Sequence, residues 1–309
     1  MYTKEDFPRN LKEFIGNEEI KVLLDILIKN KLELNRFIPH ILFYGRPGLG
    51  KTTLSKIIAS ESKSYLHYFI ANQIKEDNIS NLILGITSGD ILFIDEIHSI
   101  DSNIEEILYS VLQDSLFKGP GSIFEYKLPR FTIIGATTEK SGLNKPLIDR
   151  FIYQLNLQNY SIEEMNQIAN LYSKEFGEKE EKDKIFLEEK AREIIIKISQ
   201  GVPRLLKNIY LICLDFAINK KVDLISEKIV NKVMFLLHIN KEGLDLLQQR
   251  YLNYLKEMER PIGLNALSSF LGVTEKDIQI LVEPFLLENK FISREPKGRL
   301  ITERGKKIL

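Results

Sequence analysis

The stretch GRPGLGKTT at residues 45–53 constrains the fold of this 309-residue chain more than any other segment. It follows the apolar run HILFY, which predicts a buried strand, and precedes LSKIIASES, whose apolar residues have helical spacing. Glycines in such a turn can adopt positive φ angles and expose backbone N–H groups, which bind anions together with the helix N-terminus. The spacing matches G-x-x-x-x-G-K-[ST] in full, so we predict a phosphate-binding loop rather than a glycine-rich turn with an unrelated lysine.

Each residue type in this loop has a chemical role. Lys51 would place a cation on the β- and γ-phosphates of a nucleotide, and Thr52 would offer its hydroxyl to Mg²⁺. The residues predicted to contact the nucleotide here are Arg46, Gly48, Leu49, Gly50, Lys51, Thr52 and Thr53.

Composition narrows the class of protein. The length favours two or three domains, no apolar run is long enough for a membrane span, and the N-terminal MYTKEDFPRN lacks the apolar core of a signal peptide. The single cysteine, Cys213, lies in an apolar run where we expect it to be buried, and its lack of a disulfide partner fits the cytoplasm. Lys+Arg and Asp+Glu number 43 each, so any contact with nucleic acid needs a local basic patch.

A second motif, GDILFIDEIH at residues 89–98, places two carboxylates after another buried-strand run. Ligands of parallel α/β sheets bind beyond the carboxyl ends of the strands. There Asp95 can orient Mg²⁺, and Glu96 can polarise a water for attack on the γ-phosphate. A solvated turn or a helix cap would account for the pair equally well in isolation, but the complete phosphate loop upstream favours the catalytic interpretation.

A third strand is predicted at residues 131–134, FTII, which continues into GATTEKSG. Thr138, with Thr137 as the alternative, is the candidate to hydrogen-bond the attacking water or the γ-phosphate. Two threonines in a polar loop remain the other interpretation.

Arg150 follows in NKPLIDRF, in a short helical stretch before a further apolar run. An arginine at such a place in ring ATPases reaches the γ-phosphate of the neighbouring subunit. A local salt bridge with Asp149 would explain the same residues.

Together with a later G-x-P-R, these motifs resemble the AAA+ ATPases, and more narrowly the RuvB family of bacterial Holliday-junction branch-migration motors. The resemblance spans nearly the whole chain, through FIGNEEIK (14–21), HILFYGRPGLGKTTL (40–54), GDILFIDEIH (89–98), EEILYSVLQD (105–114), LPRFTIIGATT (128–138), GVPRLLKN (201–208) and REPKGRLIT (294–302). It implies an ATP-dependent DNA motor of recombination and repair that uses ATP and Mg²⁺. It further implies a homohexameric ring acting on Holliday-junction duplex DNA with RuvA, and with RuvC indirectly.

The resemblance also assigns residues that the motifs alone do not. Arg204 would be a sensor of the γ-phosphate, although its place at a helix corner would suit a surface arginine as well. Tyr160 would line the nucleotide pocket. The residues implied to pack near the adenine are Phe14, Ile15 and Gly16.

We predict an α/β AAA+ nucleotide-binding domain at 1–157, with a parallel sheet and flanking helices. A small helical domain at 158–237 and a winged-helix DNA-binding domain at 238–309 would follow it. Ser161 and Glu164 form a predicted capping box at the start of the helical domain. The charge run EKEEKDK, around residues 180–184, is expected to be a solvated loop.

The C-terminal segment is typical of a winged helix. Residues 263–291 predict helix, turn and helix, with Thr274 as an N-cap, and FISREPKGRLIT predicts a hairpin that turns at 296–298. Residues 288–309 carry seven basic and three acidic side chains, a net charge of +4. Such a hairpin can contact DNA without reading sequence, whereas a solvated basic tail is the alternative. The predicted DNA-binding residues are Arg294, Lys297 and Arg299.

Several positions depart from the family pattern. Arg46 and Ile148 replace a proline and an arginine, Phe7–Pro8 replaces an arginine–proline pair, and the hairpin at 113–129 is shorter than the one that docks RuvA. A clamp-loader-like or other AAA+ ATPase that remodels a protein–DNA complex is therefore the alternative function. A module that binds ATP without turning it over is disfavoured by the intact Asp95–Glu96 pair.

Overall fold

The structure, a computed structural model, describes residues 8–118, 125–177 and 184–309. The chain divides into two compact units, one formed by the residues up to Asn159 and the other by Tyr160–Leu309. Across the described ranges, none of the helices combines the length and the hydropathy that a membrane span requires.

The first unit is an α/β fold built on a parallel sheet. Its strands are β1 (Ile41–Tyr44), β2 (Leu66–Ile70), β3 (Ile91–Asp95), β4 (Leu116–Lys118), β5 (Glu125–Lys127), β6 (Thr132–Thr137) and β7 (Tyr153–Asn156). The spatial order in the sheet is β2-β3-β6-β1-β7, and every strand pair in it is parallel. The central strands β3, β6 and β1 are almost entirely buried, as their continuous apolar runs predict. Consequently the chain segments that leave these three strands emerge side by side at one edge.

The predicted third strand is longer than its apolar run. It extends through Thr137 because β6 pairs with β1 up to the contact between Thr137 and Tyr44. The prediction that the strand ends at residue 134 was wrong for this reason, and the GAT segment belongs to the sheet rather than to a loop.

Helices separate most strands of the first unit along the chain. They are α1 (Glu18–Leu34), α2 (Lys51–Glu61), α3 (Glu76–Gly85), α4 (Ser102–Asp114) and α5 (Lys145–Ile148). Apolar residues of β3, α3 and α4 form one buried cluster that includes Leu92, Ile83 and Leu108. Separately, β4 and β5 form an antiparallel hairpin, whose connecting residues 119–124 lie outside the described part of the chain.

The second unit begins with helices, as predicted. These are α6 (Ile162–Gly177), α7 (Glu189–Ile198), α8 (Pro203–Lys220) and α9 (Glu227–Leu236). The capping box is present, because Ser161 N donates to Glu164 Oε2 at 2.7 Å and Glu164 N donates to Ser161 Oγ at 3.2 Å. Cys213 is fully buried, and burial raises the pKa of its thiol to about 12. Most of the predicted charge run, residues 178–183, lies outside the described residues.

Two short strands among these helices were not predicted. They are β8 (Phe186–Leu187) and β9 (Leu224–Ile225), which pair in parallel. Two residues per strand are too few to leave a periodic pattern in a sequence.

The last part of the second unit is a winged helix. It comprises α10 (Leu246–Met258), α11 (Leu264–Leu271), α12 (Glu275–Asp277), α13 (Glu283–Glu288), β10 (Ile292–Glu295), β11 (Gly298–Ile301) and α14 (Glu303–Lys307). Between α12 and α13 the helix widens to π geometry at Ile278–Val282. Pro284 follows two residues after this segment, and a proline cannot donate the regular helical hydrogen bond, so a wider turn before it accommodates the missing N–H group.

The hairpin β10–β11 is the predicted wing, and a third segment completes it. Ile262 forms an antiparallel bridge with Arg299 through backbone hydrogen bonds of 2.8 and 2.9 Å. The close approach requires glycine at position 298, because a Cβ atom on Gly298 would lie 2.3 Å from the carbonyl oxygen of Ile262.

Candidate functional site

The glycines of the phosphate loop adopt positive φ angles, as predicted. Gly45, Gly48 and Gly50 have φ values of 142°, 83° and 104°. A Cβ atom on Gly45 would lie 2.6 Å from the carbonyl oxygen of Leu157, a distance that side chains do not tolerate. The loop runs from β1 into α2, so its backbone and the N-terminus of α2 together form an anion-binding cradle.

Lys51 is the first residue of α2 and is only 6% exposed. Its Nζ donates to the carbonyl oxygens of Gly45 at 2.8 Å and Arg46 at 3.0 Å, which holds the ammonium group over the loop. Burial lowers the pKa of Lys51, and the carboxylates of Glu96 and Asp95 partly offset that shift. The ammonium therefore lies in a poorly hydrated site, where its attraction to phosphate is strong.

The other predicted loop residues have varied surroundings. Leu49 is buried, whereas Thr52 and Thr53 are half-buried in the first turn of α2. The guanidinium of Arg46 reaches Asn159, with Nη1 donating to Oδ1 at 3.4 Å. The loop position at which the chain departs from the family pattern is thus joined to the end of the first unit.

Asp95 at the end of β3 lies beside the phosphate loop. Thr52 Oγ1 donates to Asp95 Oδ2 at 3.1 Å, so the hydroxyl and the carboxylate predicted to hold Mg²⁺ are adjacent. Oxygen donors of this kind suit the ion, and the residues present therefore fit it. The hydroxyl of Tyr68 on β2 donates to the same oxygen at 3.1 Å. Motif analysis missed Tyr68. The signal for this residue is its position on β2, where Ile70, two residues later, is in register with Asp95 of β3.

Glu96 is held by Thr138, the residue after β6 that was predicted to hydrogen-bond the attacking water or the γ-phosphate. Glu96 Oε2 accepts hydrogen bonds from the backbone N of Thr138 at 3.2 Å and from its Oγ1 at 3.0 Å. The backbone of Glu96 is left-handed, with φ 50°, a conformation that non-glycine residues adopt only at a cost. Strand β3 thus ends in a sharp turn that places the carboxylate against the end of β6.

Thr137 contacts a histidine instead. Its Oγ1 lies 2.9 Å from Nδ1 of His98, and the same Nδ1 lies 3.3 Å from Glu96 Oε2. On the other side of the ring, Nε2 lies 3.9 Å from Glu139 Oε2. His98 was not among the predicted site residues, although its position two residues after Glu96 in the DEIH motif was a usable signal.

Arg150 follows α5 and faces α4 of its own chain. Its Nη2 donates to Tyr109 Oη and to Gln113 Oε1, both at 2.9 Å. The guanidinium carbon also lies 5.0 Å from the centroid of the Tyr109 ring. Ile148, which stands where the family has an arginine, packs against the apolar core of the unit.

The segment implied to lie near the adenine is anchored close to the phosphate loop. Phe14 is buried, Ile15 is half-buried, and Gly16 adopts φ 78°. Asn17 follows Gly16, and its Oδ1 accepts a hydrogen bond from the backbone N of Gln158 at 2.9 Å. Residues 157–159 therefore connect this segment to the loop.

Tyr160 and Arg204 belong to the second unit. The backbone N of Tyr160 donates to the carbonyl oxygen of Gly201 at 2.9 Å, which joins the start of the unit to the GVPR turn. Arg204 is exposed in the first turn of α8, after Gly201 at φ 68° and Pro203.

In the wing, a carboxylate that the sequence analysis missed binds both predicted arginines. Glu283 is fully buried at the start of α13 and accepts from Arg294 Nη2 at 2.7 Å, from Arg299 Nε at 2.7 Å and from Tyr251 Oη at 2.9 Å. The two arginines are paired across the hairpin. Burial and the Glu283 carboxylate raise the pKa of Tyr251.

The two arginines of this network differ in their exposure. The side chain of Arg299 is only 15% exposed and lies against Glu283, because a buried carboxylate needs charged donors. Arg294 is 51% exposed, and Lys297 is exposed in the two-residue turn.

The chain is similar to known proteins over nearly its whole length. Family models described as the Holliday junction DNA helicase RuvB P-loop domain and the RuvB C-terminal winged helix domain match residues 7–157 and 241–309. The Holliday junction branch migration complex subunit RuvB of Mycoplasmopsis pulmonis is 36% identical, covering 96% of this chain and 95% of the relative. The protein of the same name from Thermotoga maritima is also 36% identical, covering 98% and 91%.

Solved structures agree with these relatives. A variant of Thermotoga maritima RuvB matches with a TM-score of 0.88 at 34% identity, and the match covers 97% of each chain. The similarity therefore includes both units of the fold, not the phosphate loop alone.

Proposed function

Because the chain belongs to the RuvB family of Holliday junction DNA helicases, we propose that it is an ATP-driven motor that moves the branch point of Holliday junctions. The observation that carries the proposal is the meeting of the phosphate loop, Asp95 and Glu96 at one sheet edge of a chain that also has a winged helix. Its place of action would be the cytoplasm, in recombination and repair of DNA.

The proposed chemistry is hydrolysis of ATP. The loop N–H groups and Lys51 bind the phosphates, and Glu96 accepts a proton from the attacking water at a carboxylate oxygen oriented by Thr138. Thr52 and Asp95 would hold Mg²⁺, which neutralises phosphate charge when bound.

The proposed assembly is a homohexameric ring. Arg150 would stabilise charge on the γ-phosphate bound by the neighbouring subunit. Arg204 would sense the γ-phosphate from the helical domain, and Tyr160 would line the nucleotide pocket. We assign residues 1–157 to the ATPase domain, 158–237 to the helical domain and 238–309 to the DNA-binding domain. RuvA would be the direct protein partner, and RuvC an indirect one.

The wing is the proposed contact with duplex DNA. Lys297 at the turn and Arg294 beside it are exposed, so they are available for phosphate groups. Arg299 would contribute mainly by holding the hairpin in place through Glu283.

A branch-migration assay tests the proposal. A labelled synthetic four-way junction is incubated with ATP and Mg²⁺, with and without RuvA. Its dissociation into duplexes by branch migration is followed on a native gel. We expect ATP-dependent migration that is lost in the Lys51→Ala variant. ATP hydrolysis with no junction movement, even with RuvA present, would instead support an ATPase that remodels a protein–DNA complex.

A further inference from the structure

Arg150 is anchored at three points by α4. Nη2 donates to the hydroxyl of Tyr109 and to the amide oxygen of Gln113, and the guanidinium lies 5.0 Å from the centroid of the Tyr109 ring. Tyr109 and Gln113 are one helical turn apart, so both present their groups on one side of α4. In the described part of the chain, Nε of Arg150 is buried and has no hydrogen-bond partner, which leaves Nη2 as the bonded nitrogen.

Both anchors are uncharged, unlike the partners of the arginines that form ion pairs in the described part of the chain. Arg192 pairs with Glu189, and Arg299 pairs with Glu283, so carboxylates compensate those charges. A neutral hydroxyl and an amide orient a guanidinium without neutralising it, and each bond is weaker than one to a carboxylate. Arg150 is therefore oriented while its positive charge stays available to an incoming anion.

We propose that Tyr109 and Gln113 are positioning residues that hold Arg150 ready for the γ-phosphate of a neighbouring subunit. The inference rests on the proposed action of Arg150 on the neighbouring subunit, and it adds the residues that orient the guanidinium for this role. Exchange of the neutral anchors for phosphate oxygens would cost little, whereas a carboxylate at position 113 would both retain the guanidinium and cancel its charge.

Mixed rings isolate this effect from every other role of α4. The acceptor subunit carries Arg150→Ala, so it has an intact pocket and no arginine to offer. The donor subunit carries Lys51→Ala, so it offers Arg150 but has a defective pocket. ATP turnover above that of either variant alone then comes from acceptor pockets completed by donor arginines, and native mass spectrometry verifies the mixing.

The donor is then varied at the anchors. Adding Gln113→Glu is expected to lower turnover of the mixed rings roughly tenfold, and adding Tyr109→Phe roughly threefold to tenfold. The matched control, Asn103→Asp, adds the same charge on α4 ten residues away and should leave turnover unchanged. The Gln113→Glu and Tyr109→Phe single variants should have the nucleotide affinity and melting temperature of the wild type. If these residues served only to stabilise the fold, their replacement would lower the melting temperature.

The outcomes separate the two levels of the proposal. If the reference mixture turns over ATP and both anchor variants match it, Tyr109 and Gln113 do not position Arg150, while the trans action of Arg150 stands. If Asn103→Asp is as harmful as Gln113→Glu, a general charge effect replaces the positioning role. If the reference mixture shows no added turnover in verified mixed rings, the trans action itself fails and the inference falls with it.

Discussion

Glu96 has the most constrained surroundings of the predicted catalytic residues. Its left-handed backbone costs about 1 kcal/mol relative to ordinary regions, and its carboxylate accepts two hydrogen bonds from Thr138. Strain at a residue whose side chain is also clamped indicates that the position of the carboxylate matters more than local stability.

Replacing Glu96 tests its role as the base. Glu96→Gln keeps the shape of the side chain, but the amide cannot accept a proton from water, so we expect hydrolysis to fall by about 100-fold or more. Affinity for ATP should be retained, because Lys51 and the loop are unchanged. Single-turnover hydrolysis and binding of a fluorescent ATP analogue measure the two quantities.

Glu106→Gln is the matched control, since Glu106 is exposed on α4. It should hydrolyse ATP as the wild type does. Wild-type hydrolysis by Glu96→Gln would instead show that another group activates the water.

At the scale of elements, the wing is joined to α13 by a buried charge network. Glu283 would be costly to bury alone, and Arg294, Arg299 and Tyr251 supply its donors. These ion pairs therefore attach the basic hairpin to the helical part of the domain. The tip of the hairpin also carries positive charge.

Two hairpin variants should separate attachment from DNA contact. Arg299→Ala leaves the Glu283 carboxylate without the more buried of its two arginine partners and should lower the free energy of unfolding by about 3 kcal/mol. Lys297→Ala should leave stability unchanged but weaken DNA binding regardless of sequence, and should reduce the slope of log K against log salt by about one.

Urea denaturation and fluorescence anisotropy across a salt series provide these measurements. An unchanged DNA affinity and salt slope for Lys297→Ala would argue that the turn does not contact DNA. An unchanged stability for Arg299→Ala would mean that the remaining donors suffice for Glu283.

At the scale of the whole molecule, the chain consists of two units with cores of their own. The buried apolar cluster around β3 and α4 belongs to the first unit, and the cluster that includes Leu244, Tyr251 and Leu286 belongs to the second. Within the second unit, Gln200 Nε2 donates to the carbonyl oxygen of Gly243 at 2.7 Å and to Gln248 Oε1 at 3.0 Å, which links the α7–α8 turn to the winged helix.

A fragment of residues 160–309 should therefore fold without the first unit. We expect helical circular dichroism and a cooperative urea transition, because its buried side chains pack within the fragment. It should bind duplex DNA but not ATP. A gradual transition with exposed apolar surface, detected by dye binding, would show that the second unit depends on the first.

The sequence by itself determined the family, the fold class and the phosphate loop. These features are local: nine consecutive residues form the loop, and each strand or helix carries its own apolar pattern. The carboxylates after β3 and the winged helix were predictable for the same reason, and the family and fold predictions were confirmed.

Only the tertiary structure decided which side chains meet. Arg150 and Tyr109 are 41 residues apart and Thr138 and Glu96 are 42, and no pattern along the chain reports how two such segments pack. The inward turn of Arg299 follows from Glu283, a carboxylate 16 residues earlier that becomes buried only when α13 packs beneath the wing. Backbone motifs are encoded by neighbouring residues, whereas the partner of a charged side chain depends on where burial removes water, and burial is a property of the folded chain.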